Sequence, residues 1–274
     1  MSDYFDHPAM SQSKLKDLKK SPKHFWAKHI DPYAEPMIET DAMCFGSAVH
    51  ACLFEHQKFI TDYIVAPNVD KRTKEGKAIY AEFVANSAGK TIISADDIKV
   101  VKKIRDSVLN KKTSRVLLNG GIAEHEIFWI DNETGVSCKG KLDYFIEPCK
   151  LYPNGVIIDL KTTLNAEQSE FAKTIYNFGY HNQMAFYCNG IKTIYKTEDY
   201  PSFIFLPVEK TAPYECGFFE GDRMMLELGL RENSRLLNLY KKCKESNKWY
   251  GYEDKVQTIE LPSWVVNKFN FEEF

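Results

Sequence analysis

No stretch of this 274-residue sequence approaches the ~18 consecutive apolar residues that a membrane-crossing helix requires, so a transmembrane protein is not expected. The opening MSDYFDHPAM lacks a basic segment followed by an apolar one, so no secretory signal is expected either. Cysteine is sparse and poorly grouped for pairing or metal binding. Cys44, Cys52, Cys138, Cys149, Cys188, Cys216 and Cys243 make an odd set of seven with no C-x-x-C. That spacing argues against a disulfide framework and against a zinc or iron–sulfur centre, and favours reduced thiols in a cytoplasm. A large excess of charge of one sign is missing too. The balance is −2 with a pI near 6.4, so the chain is no polycation and any nucleic-acid contact must come from local patches. Internal repeats and low-complexity segments are absent, which excludes collagen-like, solenoid and disordered classes.

What is present is ordinary globular material, 44% hydrophobic and 27% charged. A chain of this length buries roughly 75% of the surface its unfolded form exposes, so it needs no covalent staples. Two basic runs stand out. Residues 14–28 carry six Lys against Asp17, and residues 98–115 carry seven Lys or Arg against Asp106. Taken singly, each reads most simply as a solvated helix face.

Residues 11–30 have helical character, with Leu15 and Leu18 on one face, Ser11 or Ser13 as cap, and Pro22 and Pro32 as punctuation. A second helix is read over 46–59, with Val49, Cys52, Leu53 and His56 at helical spacing. Two more are read over 74–88 and 95–111, after a polar, basic loop at 67–77. From about 122 the pattern changes. IAEHEIFWI, VSCKGKLDYFI and VIIDLKTT read as three strands joined by turn-rich DNETG and EPCKLYPNG segments. Helical spacing returns at 166–190, SFIFLPVE (202–209) reads as a strand that ECGFFEG could pair with, and 222–248 reads as a long helix. The expected architecture is α/β, a central mixed sheet flanked by helices.

The middle hairpin carries the chemistry. Side chains alternate along a strand, so Ile157, Asp159 and Lys161 share one face, as do Lys139, Lys141, Asp143 and Phe145. A symmetric hairpin centred on residue 151 pairs i with 302 − i, which sets Asp143 opposite Asp159 and Lys141 opposite Lys161. Two carboxylates facing across a sheet repel and lose hydration. A divalent cation between them resolves the conflict, and oxygen ligands at this density suit Mg²⁺ or Mn²⁺. Lys161 then reaches the same place and can stabilise charge on a phosphate. The plainer alternative is a surface hairpin with scattered Asp and Lys. The apolar VII run before Asp159 speaks against it, because it marks a buried strand ending in charge. Glu124 and Glu126, on one face of the preceding strand, are both candidates for a third carboxylate.

These pieces occur in the order of the PD-(D/E)XK nuclease superfamily. The chain most resembles the RecE-type exodeoxyribonucleases (exodeoxyribonuclease VIII), and more distantly the RecB-type and Cas4-type enzymes. SQSKL (11–15) with SPKHF (21–25) resembles the helical entry, and GSAVH (46–50) the helix bearing a metal-ligand histidine. AEHEIFW (123–129) resembles the acidic strand, GKLD (140–143) with IIDLKTT (157–163) the D…D-x-K core, and YHNQMAFY (180–187) the Q-x-x-x-Y helix. Together they span roughly residues 11–190.

The resemblance implies a restriction-endonuclease-like core behind an N-terminal helical region. A single nuclease domain is expected over 1–274, with a mainly helical part at 1–118, the catalytic sheet at 119–220, and a C-terminal helix and tail at 221–274. It implies His50, Asp143, Asp159 and the Leu160 carbonyl as metal ligands and Lys161 as the catalytic lysine. Glu124 rather than Glu126 becomes the active-site glutamate, and Gln183 and Tyr187 act at the DNA backbone. Ser21 stands where the iron–sulfur relatives carry a cysteine, so no cluster is expected. The implied function is Mg²⁺-dependent exonucleolytic hydrolysis of linear double-stranded DNA, with Mn²⁺ able to substitute. It runs 5′ to 3′ and leaves 3′ single strands for recombination. The implied setting is a bacterial or phage-infected cytoplasm, with a single-strand annealing protein as partner and a homo-oligomeric ring as assembly. The alternatives are another nuclease of the superfamily, either an endonuclease or a Cas4-like end-trimming enzyme, or an inactive DNA-binding module.

Overall fold

The computed structural model describes residues 4–36 and 39–266. The expected tail beyond 266 and the first three residues of the N-terminal segment lie outside them. Before the sheet come α1 (Gln12–Lys20), α2 (Pro22–His29), α3 (Asp41–Phe54), α4 (His56–Asp62), β1 (Tyr63–Val65), α5 (Lys74–Asn86), β2 (Thr91–Ile93), α6 (Ala95–Asn110) and α7 (Lys112–Leu117). Then follow β3 (Ile122–Ile130), β4 (Ser137–Ile146), β5 (Val156–Thr163), α8 (Gln168–Phe178), α9 (Tyr180–Tyr195), β6 (Ser202–Glu209), β7 (Phe219–Glu220), α10 (Arg223–Ser246) and α11 (Ser263–Val266).

The five-stranded sheet runs β3-β4-β5-β6-β7. Only β5 and β6 are parallel, and α8 and α9 make the crossover between them. Parallel neighbours need a long connection, which is why the helical stretch at 166–190 falls there. Helices cover both faces, as the mixed α/β reading requires. Leu142, Phe145, Ile157 and Phe203 pack with Phe171, Phe186 and Leu236 on one side. Tyr144, Ile158, Leu160 and Leu206 pack with Val49, Cys52, Val101 and Ile104 on the other. Strand β5 is therefore buried on both faces, and its continuous VII run follows from that.

Three expected helical stretches are each divided in two, and each break has a local cause. The 11–30 stretch divides at Ser21, whose side chain accepts from the His24 amide and starts α2, with Pro22 in the first helical turn. The 166–190 stretch divides at Gly179, whose left-handed backbone (φ 71°) ends α8. The 46–59 stretch begins earlier, at Asp41 behind the Thr40 cap, and breaks at Glu55. The short parallel pair β1–β2 has no counterpart in the sequence reading, because three-residue strands leave no periodicity to detect.

The N-terminal segment completes the sheet where β5 stops short. β5 pairs only with Tyr144, Phe145 and Ile146 of β4, and Met10 bonds the other end of β4 at Ser137 and Lys139. Buried Lys139 anchors this segment, its ammonium donating to the main-chain carbonyls of Tyr4, Phe5 and His7. Three carbonyls substitute for the hydration the ammonium loses.

Candidate metal centre

The hairpin register is the one the sequence implies. Tyr144 pairs with Ile158, Phe145 with Ile157 and Ile146 with Val156, each following 302 − i. The ladder then ends one step short of Asp143 and Asp159, so these two, and Lys141 with Lys161, are not cross-strand partners as expected. The strands part because the Asp143 carboxylate takes the place of a backbone acceptor: the Leu160 amide donates to its Oδ2 at 2.8 Å. That opening spares the two carboxylates the close contact a regular cross-strand pair would force.

The β3–β4 ladder is interrupted at the same level. Ala123 pairs with Tyr144 and His125 with Leu142, but Glu124 and Asp143 between them do not pair. Glu124 has φ 49°, a left-handed conformation uncommon outside glycine. This local distortion breaks the alternation that would have aligned Glu124 with Glu126. Such strain persists where surrounding structure holds it, often at functional sites.

His50, on α3, meets this opening from one face of the sheet. Its Nδ1 lies 3.4 Å from Asp143 Oδ1 and 4.0 Å from Glu124 Oε1. His50, Glu124 and Asp143 each offer one ligand atom, all within 4.8 Å of one another. Asp159 is not in that triad. Gln183 on α9 donates to its Oδ1 at 3.0 Å, and Lys161 Nζ lies 2.6 Å from its Oδ2. The Lys161 contact is close but poorly directed, and Oδ2 is buried without a well-formed hydrogen bond. Of the two acidic candidates on β3, it is Glu124 that joins the cluster.

The electrostatics pull the two aspartates apart. Burial opposes ionisation of Asp143, but His50, Lys161 and the Leu160 amide outweigh it and hold the carboxyl below its usual range. At Asp159 burial dominates and the Asp143 charge adds to it, so despite Lys161 the carboxyl is pushed up to about 6. Burial disfavours the His50 imidazolium, yet Asp143 more than compensates and raises it. Burial also works against the Lys161 ammonium, and Asp159 with Asp143 reverses the sign and raises it.

These directions define separate pH windows. The stabilisation from Asp143 is complete above its unfolded value near 3.8 and is lost as pH falls through the lower folded one. The stabilisation from His50 is full below 6.5 and fades as pH rises through its raised value. Between about 4 and 6 the folded chain binds a proton at Asp159 that the unfolded chain has released, so this group costs stability as pH rises. The melting temperature of Asp159→Asn relative to wild type, both without metal, should therefore increase from pH 4.5 to 6.5. Parallel curves would show that Asp159 does not titrate as a buried acid.

A divalent cation fits these residues. The donors are one imidazole and hard carboxylate oxygens, and the buried Asp159 Oδ2 has a lone pair that no well-directed donor satisfies. Such a set suits Mg²⁺ or Mn²⁺.

The sequence reading did not assign two neighbours of the site. Lys141 sits 2.7 Å from Glu124 Oε2, and the Lys161 ammonium lies 4.9 Å from the centre of the Tyr180 ring. The period-two spacing of Lys141 and Asp143 was the available signal for the first. Nothing local announced the second. Tyr187 is hydrogen-bonded to Gln183, and burial with the Asp159 charge raises its phenol pKa. A Cβ on Gly140 would lie 3.0 Å from its ring, so the missing side chain lets α9 lie close on β4. Gln183 and Tyr187 thus form a relay that ends on Asp159.

The fold and this carboxylate–lysine arrangement define a PD-(D/E)XK-type α/β protein. A family described as "PDDEXK-like domain of unknown function (DUF3799)" matches residues 11–262, and the chain belongs to that family. Among solved structures, the chain resembles a "Putative exonuclease" from Eubacterium rectale. The two are 13% identical, with 97% of this chain and 95% of that one covered at a TM-score of 0.63, a likeness of fold. SSO0001 aligns at 13% identity over 72% of this chain and 85% of its own, with a TM-score of 0.31 too low to carry weight. No curated protein matches the chain. Among the described residues, no helix is long and apolar enough to cross a membrane.

Proposed function

We propose that the protein is a divalent-metal-dependent nuclease, and more narrowly a Mg²⁺-dependent exodeoxyribonuclease that digests linear double-stranded DNA from 5′ to 3′. The supporting observation is the convergence of His50, Glu124, Asp143, Asp159 and Lys161, drawn from α3, β3, β4 and β5, on one opening in the sheet. His50, Asp143, Asp159 and the Leu160 carbonyl would hold Mg²⁺, with Glu124 at its edge. The bound cation supplies Lewis-acid charge for the phosphodiester and for the water that attacks it. The Lys161 ammonium stabilises negative charge developing on the phosphoryl oxygens. Gln183, braced by Tyr187, orients Asp159 and faces the incoming backbone. The basic runs hold the flanking phosphates. The whole chain acts as one nuclease domain, with the helical part at 1–118 delivering His50 to the sheet core at 119–220. The 3′ strands left behind would pass to a single-strand annealing protein, and a ring around the duplex would suit processive action.

Digestion of 5′- and 3′-labelled linear duplexes, with and without Mg²⁺, tests this reading. The expected result is Mg²⁺-dependent release of nucleotides beginning at the 5′ label, with covalently closed circles left intact. Cleavage of closed circles would make the enzyme an endonuclease, and no cleavage of any DNA in Mg²⁺ or Mn²⁺ would refute the nuclease reading.

A further inference from the structure

An aromatic track leads out of the carboxylate site in a direction that the metal centre does not explain. Lys161 Nζ lies 4.9 Å from the centre of the Tyr180 ring. The Tyr180 ring is stacked on Phe178, with centroids 5.7 Å apart and planes at 19°. Lys16 Nζ, on α1, lies 5.9 Å from the centre of the Phe178 ring. Tyr180 and Phe178 flank Gly179, and the left-handed turn there brings the two rings face to face. Tyr180 is partly covered, but Phe178 is 55% exposed, a large ring left in water at the end of α8. Lys16 is exposed and forms no ion pair among the described residues, so its charge is available to an anion.

An exposed ring, backed by a second and bracketed by two ammonium groups, matches the chemistry of a single nucleic-acid strand. A ring stacks on a base whatever its identity, and a lysine meets the adjoining phosphate. The order along the track is the one such a strand needs: a charge-stabilising lysine at the carboxylates, a ring pair, then a lysine on the basic face of α1. A protein partner would be served by an apolar patch, but here cations bracket the rings at both ends.

We propose that Phe178 is a stacking platform for an unpaired nucleobase of the DNA strand whose backbone runs over Lys16 towards the carboxylate site. The proposal rests on the nuclease reading and assigns it a subsite. Tyr180 supports the platform from behind. Phe178 takes no part in the chemical step and acts by holding the strand.

The test measures binding of fluorescent oligodeoxythymidylate, and of the same strand with its bases removed, by anisotropy. All binding variants carry Asp143→Asn, which stops hydrolysis and removes one repelling charge. Phe178→Ala should weaken binding of the base-bearing strand about 10-fold, on the scale of one lost base–aromatic stack. It should leave the abasic strand within about 2-fold, because phosphate contacts do not require the ring. Phe178→Trp should restore affinity, with its indole emission quenched when the base-bearing strand binds. An unchanged melting temperature confirms that the exposed site tolerates each change. If Phe178→Ala bound the base-bearing strand as tightly as the protein that keeps the ring, or lost affinity equally for both strands, the proposal would be overturned. DNA digestion by the wild type, run in parallel, separates the two failures. A wild type that digests DNA while Phe178→Ala binds normally refutes the subsite alone. A wild type that neither binds nor digests DNA refutes the nuclease reading and the subsite with it.

Discussion

Replacing Asp143 with Ala is expected to lower DNA hydrolysis by at least about 10³-fold, the scale of losing one preorganised group that stabilises developing charge. The magnitude follows from how many interactions meet at this carboxylate. It accepts the Leu160 amide, lies 3.4 Å from His50 Nδ1, and supplies one of three clustered ligand atoms. Its loss would remove a proposed cation ligand and the contact that holds the two strands apart at the site. The effect on metal binding is separable. At 100 times its dissociation constant, a cation adds about 2.7 kcal/mol of stability, which raises the melting temperature of a chain this size by roughly 5–10 °C. Mn²⁺ should produce that rise in wild type and not in Asp143→Ala, as read by thermal denaturation. Lys161→Met should keep the Mn²⁺-induced rise while losing about 10²–10³-fold in rate, since the lysine contributes charge and not a ligand. If Asp143→Ala retained wild-type hydrolysis, the proposed chemistry would be wrong.

The second large effect concerns the scaffold. Phe145→Ala is expected to destabilise the protein by about 3–5 kcal/mol, as a deleted core aromatic does, and to lower the melting temperature by roughly 10 °C. Phe145 is fully buried, stacks on His125 with planes at 12°, and lies 5.5 Å from the Tyr195 ring. It also packs against the backbone turn at Gly155, where a Cβ would lie 3.0 Å from its ring. The site should feel the change, because Asp143 lies two residues along the same strand. Hydrolysis measured well below the melting temperature should fall more than the loss of folded protein accounts for. Chemical denaturation gives the stability, and a loss under about 1 kcal/mol would mean that the surrounding helices collapse onto the space.

Much of this was written locally. The strands at 122–130, 137–146 and 156–163 were legible because alternation and turn chemistry agreed along the whole stretch. The 302 − i register followed from hairpin symmetry and held for all three residue pairs of the ladder. The doubly buried β5 betrayed itself as an apolar run ending in Asp159 and Lys161. The sequence therefore determined the sheet's middle strands, their register, and the presence of carboxylates and a lysine on adjacent strands.

The tertiary structure decided the rest, because the remaining information lies in contacts between residues remote in the chain. The parting of β4 from β5 at the aspartates depends on one side-chain acceptor taking the Leu160 amide, which no periodicity encodes. The meeting of Glu124 with His50 and Asp143 comes with a left-handed residue near the start of β3, a conformation glutamate does not favour by itself. The approach of His50 to within 3.4 Å of Asp143 is fixed by α3 packing across the other face of the sheet. The aromatic track from Lys161 to Lys16 joins four separate elements, β5, α9, α8 and α1, through ring faces that meet only after folding. Local order along the chain is set by propensity and alternation, but the distance between ligands is set by packing, and only packing could place these charges together.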